Sequence, residues 1–224
     1  LRGGAARPVV AQEAFSIERG AQTVGSPGDT SASVAGGYVT LNAGGGDVLW
    51  NVEAERSRWT IRRVSDPGWS WVVGYCGVPR DTGATVRSVG ERLSKPDGPG
   101  LLERFEQVAL QGIDAVAAED RTKVGGLLDQ NHALLREVGV SHPRLETLLA
   151  AARFSSEGAK LTGAGAGGSL VALPKLGHEL ETVRRISRAG GVAFLVRPAP
   201  RGVERVESRA SAVAPSPDES DSKP

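Results

Sequence analysis

The run Lys160-Leu161-Thr162-Gly163-Ala164-Gly165-Ala166-Gly167-Gly168-Ser169 is the part of the chain whose composition most directly suggests chemistry. Backbone with few side chains can approach a phosphate closely, and successive N–H groups can form an anion-binding concavity. The same run also reads as a surface loop, and glycine content alone does not choose between the two. Gly163, Gly165 and Gly168 satisfy the G-x-G-x-x-G spacing of dinucleotide sites. That fingerprint belongs between a strand and a helix, whereas Ser169-Leu170-Val171-Ala172-Leu173-Pro174 reads as a strand. The order loop-then-strand argues against a dinucleotide site, and the Gly-x4-Gly-Lys-Ser/Thr phosphate loop is absent.

Other reactive residue types have plain readings when taken alone. Glu18 suits a solvated helix face. Asp29, eleven positions on and preceded by Gly25-Ser26-Pro27-Gly28, could cap a helix opening at Thr30. Asp81 or Thr82 would serve as the N-cap of the helix that follows Val78-Pro79-Arg80. His132, His142 and His178 show no ligand spacing and read as packing or surface residues. Cys76, the single cysteine, reads as a small buried apolar residue and forms no intramolecular disulfide. Trp50, Trp59, Trp69 and Trp71 lie in strand-like stretches and read as packing residues.

The elements that must hold these residues follow from periodicity. Ala11 to Gln22 reads as a helix, a Gly/Pro turn follows, and Thr30 to Ala35 opens another helix. Short β-rich runs come next: Tyr38 to Asn42, Val48 to Val52, Arg58 to Arg62 and Trp69 to Cys76, with Gly44 to Asp47 as a hairpin connection. The period then turns helical over Thr82–Leu93, Leu101–Ala118, Thr122–Val138 and His142–Arg153, with Ser141 as N-cap of the last and Pro143 in its first turn. Strands at Ser169–Leu173, Val192–Val196 and Gly202–Glu207, with a helix over His178–Ala189, complete the pattern, and Ser208–Pro224 reads as a disordered tail. Across 224 residues the net charge is +1 with acids and bases interleaved, which argues against a dedicated nucleic-acid binder. No apolar run approaches a membrane span, so a soluble cytoplasmic protein with no membrane partner is expected.

The motifs taken together resemble the GHMP kinase superfamily, nearest to its mevalonate kinase branch of archaeal and bacterial type. Lys160–Ser169 is similar to that branch's third motif, K-L-T-G-A-G-G-G-G-C, departing at Ala166 and Ser169. Asp129-Gln130-Asn131-His132-Ala133-Leu134-Leu135, Val73-Gly74-Tyr75 with Val78-Pro79-Arg80-Asp81-Thr82, and Gly190-Gly191-Val192-Ala193-Phe194 look like further family segments, so that residues 11 to 207 are covered. The resemblance implies an α+β, two-domain fold. Residues 1–71 would be the remainder of the amino-terminal domain, 72–207 the carboxyl-terminal domain and 208–224 the tail, with the active site in the cleft between domains.

The function so implied is ATP- and Mg2+-dependent phosphorylation of mevalonate to 5-phosphomevalonate in isoprenoid biosynthesis. Glu18 would be the magnesium ligand and Asp29 the catalytic group facing the attacking hydroxyl. Ser26 and Thr82 would lie near the substrate, and Gly163, Ala164, Gly165, Ala166, Gly167 and Gly168 would form the nucleotide-phosphate loop. The family's second motif and its amino-terminal lysine have no counterpart between Leu1 and Glu13. The expectation is thus an incomplete, inactive portion of an enzyme. A sister kinase acting on phosphomevalonate, homoserine or a sugar, and a non-catalytic fragment of the same fold, are the alternatives. The resemblance leaves room for a homodimer.

Overall fold

A computed structural model of the chain describes residues 6–22, 25–55, 57–79 and 81–204. Over those residues it contains seven helices and two antiparallel sheets, the α+β class expected. Helices α1 (Arg7–Gln22) and α2 (Gly28–Ala35) lead into β1 (Tyr38–Leu41), β2 (Val48–Ala54) and β3 (Ser57–Val64). Val10, Ala11 and Phe15 of α1 and Val34 and Ala35 of α2 meet Trp50, Val52 and Ile61 in one buried cluster. Alternation along β2 and β3 sends these strand residues to the covered face.

The first sheet has the order β1-β3-β2. The Gly44–Asp47 segment is therefore not a hairpin turn, contrary to expectation, because β1 and β2 both pair with β3 and not with each other. The connection instead crosses the end of β3. The Arg63 N–H donates to Asp47 O at 2.9 Å, and a Cβ on Gly46, at φ 98°, would stand 2.2 Å from Arg63 O.

The second sheet has the order β5-β6-β4-β7, built from β4 (Trp71–Tyr75), β5 (Ser156–Thr162), β6 (Ser169–Pro174) and β7 (Val192–Val196). Between β4 and β5 run α3 (Thr82–Leu93), α4 (Gly98–Ala117), α5 (Arg121–Val138) and α6 (Pro143–Arg153), and α7 (Glu179–Arg188) joins β6 to β7. Leu134, Leu145, Leu148, Leu149, Leu161 and Leu170 anchor its core. Strand β5 was not anticipated: Ser-Glu-Gly-Ala-Lys-Leu-Thr has little β propensity, and pairing with β6 overrides it.

As an edge strand, β5 needs partners for its outward N–H groups, and α5 supplies them. Asp129 Oδ1 accepts the Ala159 N–H at 3.1 Å and His132 Nδ1 accepts that of Leu161 at 3.4 Å. The helix comes this close because Gly125 faces Gly158: a Cβ on Gly158 would lie 1.9 Å from Gly125 O.

Two further expectations change. The N-cap of α6 is His142, whose Nδ1 accepts the Arg144 N–H at 3.1 Å. Ser141 instead donates its hydroxyl to Glu146 Oε1 at 2.5 Å. The segment Gly202–Glu204 is not a strand, and the rest of that candidate, like the tail from Ser208, lies outside the described residues. Ala199–Val203 runs back over α2: the Gly37 N–H donates to Ala199 O at 2.7 Å and the Val203 N–H to Val34 O at 3.3 Å. The tryptophans pack, with Trp50 and Trp69 buried and Trp59 edge-on to Phe15 at 5.3 Å. Cys76 is buried.

Candidate functional site

Glu18 and Asp29 come together. Both line a pocket of about 310 Å3 with Val10, Ala14, Thr30, Ser33, Val34 and Val203. The geometry follows from how α2 starts. The helix begins at Gly28 rather than Thr30, with Pro27 at the N-cap and no side-chain capping hydrogen bond. Asp29 is thus an exposed first-turn residue and not a cap, and the partial positive charge of the helix start favours a carboxylate there. The hydroxyls of Thr30 and Ser33 bond backward to Pro27 O and Asp29 O at 3.3 and 2.8 Å. Ser26 is exposed on the approach to α2, next to Gly28.

Glu18 sits on α1 with its Oε2 enclosed and without a hydrogen-bond partner. A buried carboxylate oxygen left unpaired carries a desolvation cost of about 1–3 kcal/mol or more, so its position is consistent with a cation bound in the pocket. Two carboxylates suit Mg2+, which takes one or two together with phosphate oxygens and water. Among the described residues no cluster of three or more His, Cys, Asp or Glu is assembled, so a protein-only metal cage is not built here.

Val203 reaches this pocket from the far end of the chain. A Cβ on Gly36 would lie 2.5 Å from Arg201 C and from Gly202 N, and one on Gly202 would lie 2.1 Å from Val34 O. Only this glycine pair lets the returning segment lie flat on α2. The Gly36-Gly37 doublet is the sequence signal for that approach, but nothing in the spacing points to Gly202.

Neither Thr82 nor any residue of the glycine run lines the Glu18–Asp29 pocket. Asp81 takes the N-cap of α3, accepting the Ala84 N–H at 2.9 Å, and Thr82 is exposed and not used for capping. The glycine run is the β5–β6 connection, folded onto the segment after β4. The Cys76 N–H donates to Gly168 O at 2.9 Å, Gly168 N–H to Val78 O at 3.3 Å and Ala166 N–H to Val140 O at 2.6 Å. Two of the loop's N–H groups therefore point inward, and a phosphate here would be met by the others. Gly165 and Gly167 owe their identity to packing: added Cβ atoms would come within 2.3 Å of Val140 O and 3.0 Å of Val78. Ala166 adopts φ 58°, a left-handed conformation that costs a non-glycine residue about 1–2 kcal/mol.

His132 is buried, and its role is structural. Its Nδ1 accepts the Leu161 N–H, so Nε2 carries the proton and donates to Glu146 Oε1 at 3.0 Å. Burial holds the His132 pKa below the ordinary imidazole value, against the pull of Glu146. For Glu146, burial pushes upward, but hydrogen bonds from Ser141 and His132 leave its carboxyl below the usual range.

Residues 113–192 match the family of GHMP kinases C terminal. The mevalonate kinase of Pyrococcus horikoshii is 37% identical over 146 residues, covering 61% of this chain and 42% of the relative. That of Pyrococcus abyssi is 36% identical over 148 residues, 62% of this chain and 43% of the relative. The chain spans about two fifths of the length of these curated relatives. Among solved structures, L. major mevalonate kinase in complex with R-mevalonate matches with a TM-score of 0.70 at 22% identity, over 87% of this chain and 60% of that one, a likeness of fold. Among the described residues no helix is long and apolar enough to cross a membrane. Over residues 113–192 the chain is thus similar to the C-terminal part of the GHMP kinases.

Proposed function

We propose that this chain supplies part of the active site of a kinase that transfers the γ-phosphoryl group of ATP to the primary hydroxyl of mevalonate, feeding isoprenoid biosynthesis in the cytoplasm. The observation that carries the reading is the shared pocket of Glu18 and Asp29, in which one Glu18 oxygen is buried and unpaired. The mevalonate kinase relatives support the choice of acceptor. Residues 1–71 would belong to the amino-terminal domain and 72–207 to the carboxyl-terminal one.

In this reading Glu18 holds the Mg2+ of the nucleotide. When bound, that ion neutralises charge on the phosphates during transfer. Asp29 faces the acceptor hydroxyl, aligns it and takes its proton as the oxygen bonds to the γ-phosphorus and ADP departs. Ser26 and Thr82 contact the acceptor, and the backbone of Gly163–Gly168 contacts phosphate through the N–H groups not bound to Val78 and Val140. Positioning and charge neutralisation are the main demands of phosphoryl transfer, so these few groups act only with the rest of a complete site.

The test is ADP release by the complete gene product containing this chain, with ATP, Mg2+ and mevalonate, and with phosphomevalonate, homoserine and galactose as competing acceptors. Mevalonate should be preferred. The Glu18→Gln variant should need more Mg2+ for half-maximal rate while its KM for mevalonate changes little, because an amide is a poorer ligand for a hard cation. Unchanged Mg2+ dependence, or a preference for another acceptor, would overturn this reading.

A further inference from the structure

The turn between α5 and α6 lies against the glycine run, and one carboxylate governs that turn. Glu146 of α6 is half-buried, with three donors directed at a single oxygen. Ser141 Oγ donates to Glu146 Oε1 at 2.5 Å, His132 Nε2 donates at 3.0 Å, and Arg136 Nε lies 3.5 Å from the same atom. Two of these donors lead on to the β5–β6 connection. Ser141 follows Val140, whose carbonyl accepts the Ala166 N–H at 2.6 Å and against which Gly165 packs. His132 accepts the Leu161 N–H on Nδ1 at 3.4 Å, two residues before Gly163. The run is thus held where it leaves β5 and again at its middle, and both holds converge on Glu146.

The imidazole can transmit the contact because its two nitrogens share one proton. An acceptor at Oε1 keeps that proton on Nε2 and leaves Nδ1 free to accept from Leu161. Without the acceptor the proton can move to Nδ1, where it would oppose the Leu161 N–H and displace the end of β5. Backbone N–H groups serve a phosphate only when they already point at it, so a small shift of the run costs contact. The competing explanation is that the same bonds merely fasten α5 and α6 to β5. The two accounts differ in what a variant at Glu146 changes: nucleotide affinity in one, stability alone in the other.

We propose that Glu146 is a positioning residue for nucleotide binding, setting through Ser141 and His132 the orientation of Gly163–Gly168 toward the phosphates of ATP. The role rests on the phosphoryl-transfer reading and adds to it a residue outside the loop.

The test uses the complete gene product containing this chain. Glu146→Leu removes the acceptor at similar size. It should raise KM for ATP about tenfold, the worth of one charge-assisted hydrogen bond to phosphate, and change KM for mevalonate less than about twofold. Glu146→Gln keeps a carbonyl oxygen where Oε1 stands and should bring KM for ATP back to within about threefold of native. Nitrogen NMR of the ring should show His132 protonated on Nε2 in the native protein and in Glu146→Gln, and a mixture of tautomers in Glu146→Leu. Ile186→Val, in the core against Gly74 and Gly191, lowers stability without touching the turn and should leave KM for ATP unchanged. Ser141→Ala removes one arm only, should raise KM for ATP about threefold, and covers the case in which Glu146→Leu fails to fold.

Gly165→Ala, whose Cβ would meet Val140 O, moves the run directly. A raised KM for ATP in Gly165→Ala beside native values in Glu146→Leu and Ser141→Ala would overturn the positioning role and leave the kinase reading standing. Native values in all three would overturn the loop's contact with phosphate, and the positioning role with it. Equal rises in both KM values, or a Glu146→Gln variant as impaired as Glu146→Leu, would also overturn the role.

Discussion

Along the seam where α5 meets β5, enclosed polar atoms are matched. Asp129 Oδ1 accepts both the Ala159 N–H and the Arg153 guanidinium, His132 bridges Leu161 to Glu146, and Ser141 completes the Glu146 contacts. Under α1, Glu18 Oε2 is just as enclosed and has no partner, and the same holds for Asn131 Oδ1 in a cavity between the sheets. Both regions look alike in composition, being helices that carry acids and histidines or amides against strands. The difference is what the fold has already satisfied. A matched polar atom contributes to folding, whereas an enclosed unmatched one leaves a contact open, to water or to a ligand; Ser31 Oγ, Trp50 Nε1 and Arg121 Nε are open in the same way. On this criterion His132 belongs to stability, and the proposed function gives the Glu18 oxygen to a ligand.

The comparison breaks most sharply at Asp29. In the complete gene product Asp29→Asn should lower kcat by about 10²–10⁴, the range of general acid–base contributions, with the thermal midpoint lowered only slightly, because the side chain is exposed and caps nothing and loses only its attraction to the helix start. A variant with near-normal turnover would return Asp29 to the surface residues.

Gly158→Ala tests the opposite region. Its Cβ has backbone as its nearest neighbour, 1.9 Å from Gly125 O, so relief requires α5 to move off β5 and the Asp129 and His132 bonds to stretch. A loss of about 2–4 kcal/mol is expected in denaturant unfolding. A variant as stable as the parent would mean that the seam is looser than drawn.

The next effect is on pH dependence. The folded state holds the His132 pKa below its unfolded value near 6.5, so the neutral ring's contribution is fully present above about pH 6.5 and is lost as pH falls toward the folded pKa. Glu146, also held low, adds a loss at more acid pH. His132→Gln should lower stability at neutral pH and flatten the fall in thermal midpoint as pH drops below about 6.5. An unchanged slope would show that another group sets the acid limit.

The smallest effect is a gain. Ala166→Gly removes left-handed strain at φ 58° but adds freedom to the unfolded chain, for a net stabilisation of about 0.5–1 kcal/mol. No gain would mean that the Ala166 methyl makes compensating contacts.

Most helices were legible because their apolar residues recur at helical spacing: α5 and α6 differ from the sequence reading by a residue at one end, and β7 not at all. The departures come where a third element decides. β5 is a strand only because β6 lies beside it, and Gly44–Asp47 is a crossover only because β3 takes both neighbours. His142 took the cap of α6 because Glu146 drew the Ser141 hydroxyl away.

The sequence by itself determined the glycine run, the Gly/Ser/Pro turn before Asp29 and the α+β order, since each rests on local conformational preference or on residues close in the chain. Only the tertiary structure decided that Glu18 and Asp29 share a pocket closed by Val203, and that Lys160 and Asn131 share a cavity between two sheets. The glycine run acquired its inward hydrogen bonds to Val78 and Val140 in the same way. The reason is physical: whether a buried polar atom has a partner depends on groups from distant segments meeting within about 3 Å, a distance that spacing along the chain does not encode.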